Sequence, residues 1–157
     1  MKTALRFIIA LFIPLAIGGL SGFFTADGVT GEWFTNLVKP SFNPPNYLFG
    51  PVWTALYALM GVSFFLVLGA PKGENRSNAI LAFVMQLILN FWWSIFFFNF
   101  ERPDIALGEI ALLWLAIVYM IYTFYKVMPG SGLLQIPYLL WVSFASALNA
   151  SFWLLNK

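Results

Sequence analysis

The side chains with chemistry to offer are few, and most of them stand at helical spacing. Gln86 and Asn90 lie one turn apart in a long apolar segment, and Trp93 and Phe97 extend the same stripe. Trp53, Tyr57, Met60 and Phe64 form a second stripe at steps of four, three and four. Pro137, Trp141, Ala145, Leu148 and Phe152 form a third, with Ser146 and Asn149 on the same segment. Amides in such positions either join neighbouring helices, at about 0.6–2 kcal/mol per bond, or meet a ligand. Aromatics at this spacing either pack or build a flat apolar wall. Glu109 falls in the first turns of another apolar segment. It is either functional, the default for an ionisable group inside a span, or set shallow, where the helix dipole favours a carboxylate.

Acid–base and metal chemistry are poorly supplied. The chain has no Cys and no His. That removes disulfides, thiolate nucleophiles, zinc sites of the usual ligand types and His or Cys ligation of haem. The commonest general base is missing too. Asp104 and Glu109 are five residues apart and fall on different helix faces, so they make no carboxylate pair. There is no Ser–base arrangement and no Gly-rich phosphate loop. A net charge of +2 without a basic run gives no footprint for nucleic acid. These residues support an aromatic-lined cavity with a few hydrogen-bonding groups, suited to a flat and largely apolar ligand.

The elements that must position them are set by composition. Only 9% of the 157 residues are charged and 61% are hydrophobic, against about 25% charged in a soluble domain. Five apolar segments, at roughly 6–25, 46–70, 79–100, 105–128 and 133–155, are each long enough to cross about 30 Å of hydrocarbon. Backbone groups in lipid must pair internally. The expected fold is therefore all-α: a single domain over 1–157, an integral membrane bundle of five transmembrane helices. Polar residues over 71–78, Pro103 and the run Pro129-Gly130-Ser131-Gly132 read as connectors. The long first connector, about 26–45, holds the i,i+4 pairs Trp33–Leu37 and Phe34–Val38. They predict a short amphipathic helix on the bilayer surface or over the bundle mouth. Lys and Arg counts of five against three place the N-terminus inside and the C-terminus outside. The first 22 residues also have the plan of a signal peptide, but the apolar run exceeds the usual h-region, so a retained helix is expected.

The motifs "KPSFNPP", "GPVWTALYALMG", "QLILN" and "PYLLWVSFASALN", the last followed by "FW", recur in this order in the TspO/MBR family, which includes the mitochondrial translocator protein. The chain resembles that family over nearly its whole length. The resemblance implies a five-helix bundle whose cavity opens beneath the first connector and binds porphyrins and other tetrapyrroles, with no cofactor required. Family pocket positions match Trp53, Tyr57, Asn90, Trp93, Trp141, Ala145 and Leu148, and Pro44 and Pro45 match the paired prolines of its rim. Gln86 and a rim group would help to orient a ligand's polar edges. The family's helix acid, usually Asp, matches Glu109.

The chain also departs from the family. Phe42 replaces a frequent Trp of the rim, and Leu81 and Met85 replace small residues linked with self-association. A homodimer is thus expected from family habit alone. Gly18 and Gly22 form a small-xxx-small pair that reads as close packing within the chain. The cholesterol pattern near the C-terminus is met only loosely by Leu148, Phe152 and Lys157, and none is expected to bind. Compactness and the absence of a tail suggest a bacterial membrane. Three functions follow from the resemblance: a tetrapyrrole receptor or sensor, first; light-dependent porphyrin breakdown, with Trp53 and Trp141 as redox partners; and transport, for which no inverted repeat is visible.

Overall fold

The computed structural model describes residues 3–157; Lys2, one of the charges behind the expected orientation, lies outside them. Among the described residues every regular element is helical, and five segments are long and apolar enough to cross a membrane. The helices are α1 (Thr3–Thr30), α2 (Glu32–Asn36), α3 (Phe49–Gly69), α4 (Glu74–Ser94), α5 (Pro103–Val127), α6 (Pro129–Leu133) and α7 (Ile136–Leu155). A 3-10 turn at Asn46–Leu48 leads into α3, and α4 runs on into a π-helical turn at Ile95–Asn99. The chain is a multi-pass integral membrane protein with the expected five-helix bundle.

Three boundaries differ from the sequence reading, each because polar side chains bond nearby backbone carbonyls. α1 continues past residue 25 to Thr30. The Thr25 and Thr30 hydroxyls donate to the carbonyls of Ser21 and Ala26, which lets a polar stretch stay helical. α4 starts at Glu74, inside the presumed connector: its carboxylate sits in the first turn, and Ser77 donates back to the Gly73 carbonyl. Pro129 to Gly132, read as a stop, forms the extra turn α6. Pro129 occupies the first positions, where a missing N–H costs nothing, and the Ser131 hydroxyl bonds the Phe124 and Met128 carbonyls.

The inner half of the bundle is a tight apolar core. Phe64 and Phe83 stack at 4.0 Å, and Phe83 stacks on Phe124 at 6.1 Å. α1 and α3 approach backbone to backbone here: a Cβ on Gly61 would stand 2.7 Å from the Leu11 Cα. The outer half holds a second cluster around Phe34, Phe97, Ala106, Leu148 and Phe152.

α2 takes the second of its two expected positions and caps the mouth. Phe34, 5% exposed, meets Phe98 and Phe152 at 5.5 Å each and Phe97 at 6.4 Å. The helix is too short to include Leu37 and Val38, so the pairing with Val38 fails and Val38 faces outward. Beyond α2 the connector is fastened to the end of α7. The Val38 N–H donates to Asn156 Oδ1 at 2.8 Å, and Asn156 Nδ2 donates to the Val38 carbonyl at 3.0 Å.

Candidate functional site

Between the two clusters lies a cavity of about 630 Å³. Its walls come from α1, α3, α4 with its π-turn, and α7; α5 contributes nothing to them. α3 supplies Trp53 and Tyr57, which stack at 5.5 Å with 27° between their planes, the outcome of a four-residue spacing on one helix. α7 supplies Trp141, Ala145 and Leu148, and α4 supplies Asn90 and Trp93. The π-turn adds one residue to the helical repeat, and both consecutive Phe97 and Phe98 line the cavity. Two residues past the turn stands Glu101, whose φ of 55° reverses the chain so that the Arg102 N–H reaches the Phe96 carbonyl at 3.1 Å.

The floor is a hydrogen-bonded chain across three helices. The Tyr57 hydroxyl donates to Asn90 Oδ1. Asn90 Nδ2 donates to the Tyr138 oxygen at 3.0 Å, and the Tyr138 hydroxyl donates to Gln86 Oε1 at 3.0 Å. All four residues are buried. Of the two sequence alternatives for the amides, joining helices is what both do. Asn90 also borders the cavity, whereas Gln86 lies one turn deeper, behind Tyr138, and does not.

The two cavity indoles on α4 and α7 differ in one respect. Trp93 Nε1 donates to Asn149 Oδ1 at 3.0 Å, and Asn149 Nδ2 passes the link to the Pro103 carbonyl at 2.7 Å. Trp141 Nε1 is buried without a partner. At the rim, Asn43 Oδ1 is likewise buried and unpartnered. Each is an unpaired buried polar group, a cost that the fold carries at this end of the bundle.

Of the ten predicted ligand residues, Trp53, Tyr57, Asn90, Trp93, Trp141, Ala145 and Leu148 come together around this cavity, and Phe42, Pro44 and Gln86 do not line it. Phe42 is 47% exposed and lies against Phe144 at 6.2 Å, on the outer side of α7, because the rim turns away from the mouth there. Pro44 shapes the rim through its carbonyl, which accepts from Asn43 Nδ2 at 3.2 Å. Pro137 is exposed, and Tyr138 takes its inward place on α7.

Sequence reasoning missed Tyr138 and a hydroxyl patch on the wall, and it placed Phe34 over the mouth and Asn43 on the rim without counting either among the ligand residues. In that patch Ser21 and Ser94 share a 2.7 Å hydrogen bond, and Thr25 donates to Ser94 at 3.3 Å. The available signals were the four-residue spacings Ser21–Thr25 and Asn90–Ser94. For Tyr138 they were the steps through Val142, Ala145, Asn149 and Phe152. Glu109 is buried at 7% exposure, outside the cavity, with both carboxyl oxygens unpartnered.

Comparison with known proteins agrees with this architecture. Residues 10–154 match the TspO/MBR family. The tryptophan-rich protein TspO of Chlorobaculum tepidum is 41% identical over 99% of this chain and 98% of its own length. The tryptophan-rich sensory protein of Cereibacter sphaeroides is 34% identical over 75% of this chain and 73% of its own. The human translocator protein is 32% identical over 96% of this chain and 88% of its own. With a family match over nearly its whole length and relatives at this identity, the chain belongs to the TspO/MBR family.

Proposed function

We propose that this protein is a membrane receptor or sensor that takes a porphyrin-type tetrapyrrole, or a similar flat apolar molecule, into the cavity. One observation carries the reading: the stacked Trp53–Tyr57 pair borders a space of about 630 Å³ that Trp141, with its free indole N–H, also borders. That volume falls inside the about 300–1,000 Å³ of small-molecule sites. A macrocycle offers two apolar faces to the rings, each aromatic contact adding about 0.5–1.5 kcal/mol beyond area burial. A turn of the Trp141 ring would present its buried, unpaired N–H to a carboxylate or carbonyl on the macrocycle's edge, and a turn of the Asn43 side chain would present Oδ1 to a donor. With neither His nor Cys in the chain, binding rests on stacking and edge hydrogen bonds, so metal-free porphyrin should bind. One relative is named a tryptophan-rich sensory protein, which supports the sensing role.

The test is a titration of protoporphyrin IX into purified protein and into the Trp53→Leu/Trp141→Leu double variant. Loss of two ring contacts should weaken affinity at least fivefold. Equal affinity in a double variant with unchanged helical content would remove this cavity as the site.

A further inference from the structure

We propose that the cavity opens sideways into the bilayer, through a slot between α1 and α3, and that apolar solutes reach Trp53 and Trp141 from the hydrocarbon and not through the aqueous mouth. The proposal needs the cavity alone and stands apart from the identity of any ligand.

α1 and α3 are closely packed only over their inner halves. Phe7 meets Phe65 at 5.3 Å, Gly61 has no room beside Leu11, and a Cβ on Gly18 would fall into the Tyr57 ring. Just beyond Gly18 the next glycine positions of the two helices stand clear of any neighbour. A Cβ built on Gly19 or Gly22 of α1, or on Gly50 of α3, meets no atom within 4 Å. Gly22 therefore does not serve the close packing that its spacing from Gly18 suggests.

These glycines line the cavity and are exposed at the same time, as are Ala26 and Thr54. A residue that is both marks a place where the cavity reaches the surface. The opposite wall shows the reverse: Asn90, Phe97, Ala145 and Leu148 line the cavity and are buried.

The slot lies at hydrocarbon depth. Its outward neighbours Leu20 and Phe23 are 57% and 66% exposed, which only lipid accommodates without cost. The first charge above them is Asp27, five residues past Gly22, or about 7.5 Å along the axis. The slot runs up to the rim, where Thr30, Asn46 and Tyr47 also line the cavity and are exposed, but the roof under α2 is closed. Phe34 sits among Phe97, Phe98 and Phe152, and the Val38–Asn156 pair of hydrogen bonds fastens the connector. A flat apolar solute partitions into the bilayer before it meets the protein, so a door on the lipid side meets it where it is concentrated.

Absence of cysteine from the chain gives a clean test. Ala145→Cys places one thiol on the buried wall. The variant, in lipid nanodiscs that expose both faces, is labelled with N-phenylmaleimide, which partitions into lipid, or with a charged, water-soluble methanethiosulfonate. Each rate is normalised to that on unfolded protein. N-phenylmaleimide should react faster, and a second change, Gly22→Phe or Gly19→Leu, should slow it at least tenfold while leaving the charged reagent's slow rate unchanged. Asn156→Ala, which frees the roof, should leave the N-phenylmaleimide rate within twofold. Faster labelling by the charged reagent, or acceleration by Asn156→Ala without slowing by Gly22→Phe, would place the door in the roof and overturn the proposal. So would equal slowing of both reagents, the mark of a plugged cavity. A change of oligomeric mass in Gly22→Phe with no change in labelling would make the glycine face a seam between copies, and would also overturn it. Neither reagent is a porphyrin, so a failure of porphyrin binding leaves this result standing.

Discussion

The Tyr57 hydroxyl donates to the side-chain carbonyl of Asn90, and the amide of the same Asn90 donates to Tyr138 at 3.0 Å. One side chain thus ties α3, α4 and α7 together under the cavity. Replacing Asn90 by Ala leaves two buried hydroxyls without that partner and should cost about 1–3 kcal/mol. Tyr57→Phe removes one bond and should cost about 1 kcal/mol. Combined, the two should cost less than their sum, because the second change removes a bond already lost. Unfolding in mixed micelles, run as a double-mutant cycle, measures the coupling. Strict additivity would mean that the Tyr57–Asn90 bond contributes nothing.

Trp93 and Trp141 border the same cavity, yet only Trp93 has its N–H engaged, by Asn149. The same substitution should therefore act on different quantities. Trp93→Phe should lower stability by about 1 kcal/mol through the loss of that bond and change porphyrin affinity little. Trp141→Phe should leave stability within about 0.5 kcal/mol, since no internal bond is broken, and weaken binding about fivefold by removing the open donor. Parallel unfolding and protoporphyrin titrations separate the two. A reversal of the pattern would put the ligand's polar edge against Asn149.

Much of this site was legible in the sequence because helical spacing in lipid leaves little freedom. Trp53 and Tyr57 are four apart on a helix that composition alone requires, so their stacking follows from the spacing. Tyr138 was hidden by its neighbour: Pro137 and Tyr138 are adjacent, and a stripe drawn through Pro137 misplaces the inward face by one residue. Gln86 and Asn90 share a face, but periodicity does not give depth, and depth decides which of them borders the cavity. Phe42 belongs to an irregular connector, where no period ties a side chain to a direction. The end of α1 was obscured because Thr25 and Thr30 look like helix terminators in composition, while their hydroxyls bond back into the same helix.

Gly18 and Gly22 are one turn apart on α1 and should respond oppositely to the same change. A methyl at Gly18 runs into the Tyr57 ring, whereas at Gly22 it meets nothing within 4 Å. Gly18→Ala should destabilise by about 1–3 kcal/mol through overpacking and, by displacing Tyr57, weaken the Asn90 bond as well. Gly22→Ala should be neutral or slightly stabilising, by up to about 1 kcal/mol, as expected for Gly replaced in an open helical position. Thermal unfolding of the two single variants distinguishes them. Equal loss at both positions would mean that α1 and α3 are in contact along their full length, and that outcome would also remove the slot between them.

Glu109 bears on stability differently, because its carboxyl is buried in α5 with neither oxygen bonded and lies outside the cavity wall. A buried polar group without a partner is a cost, and replacing it by an apolar side chain of similar length removes that cost. Its neighbours on the same face, Ala106, Ile110 and Leu113, are apolar and buried, so a thioether packs there without leaving a void. Glu109→Met should therefore stabilise the bundle by about 1–3 kcal/mol and leave porphyrin affinity unchanged. Glu109→Ala should gain less, since it also opens a space in the α5 face. Unfolding of both variants, with a protoporphyrin titration of each, gives the comparison. A loss of stability in Glu109→Met would show that the carboxyl is bonded in the membrane, by a water or a lipid group, and that Glu109 has a role the protein keeps at the expense of packing.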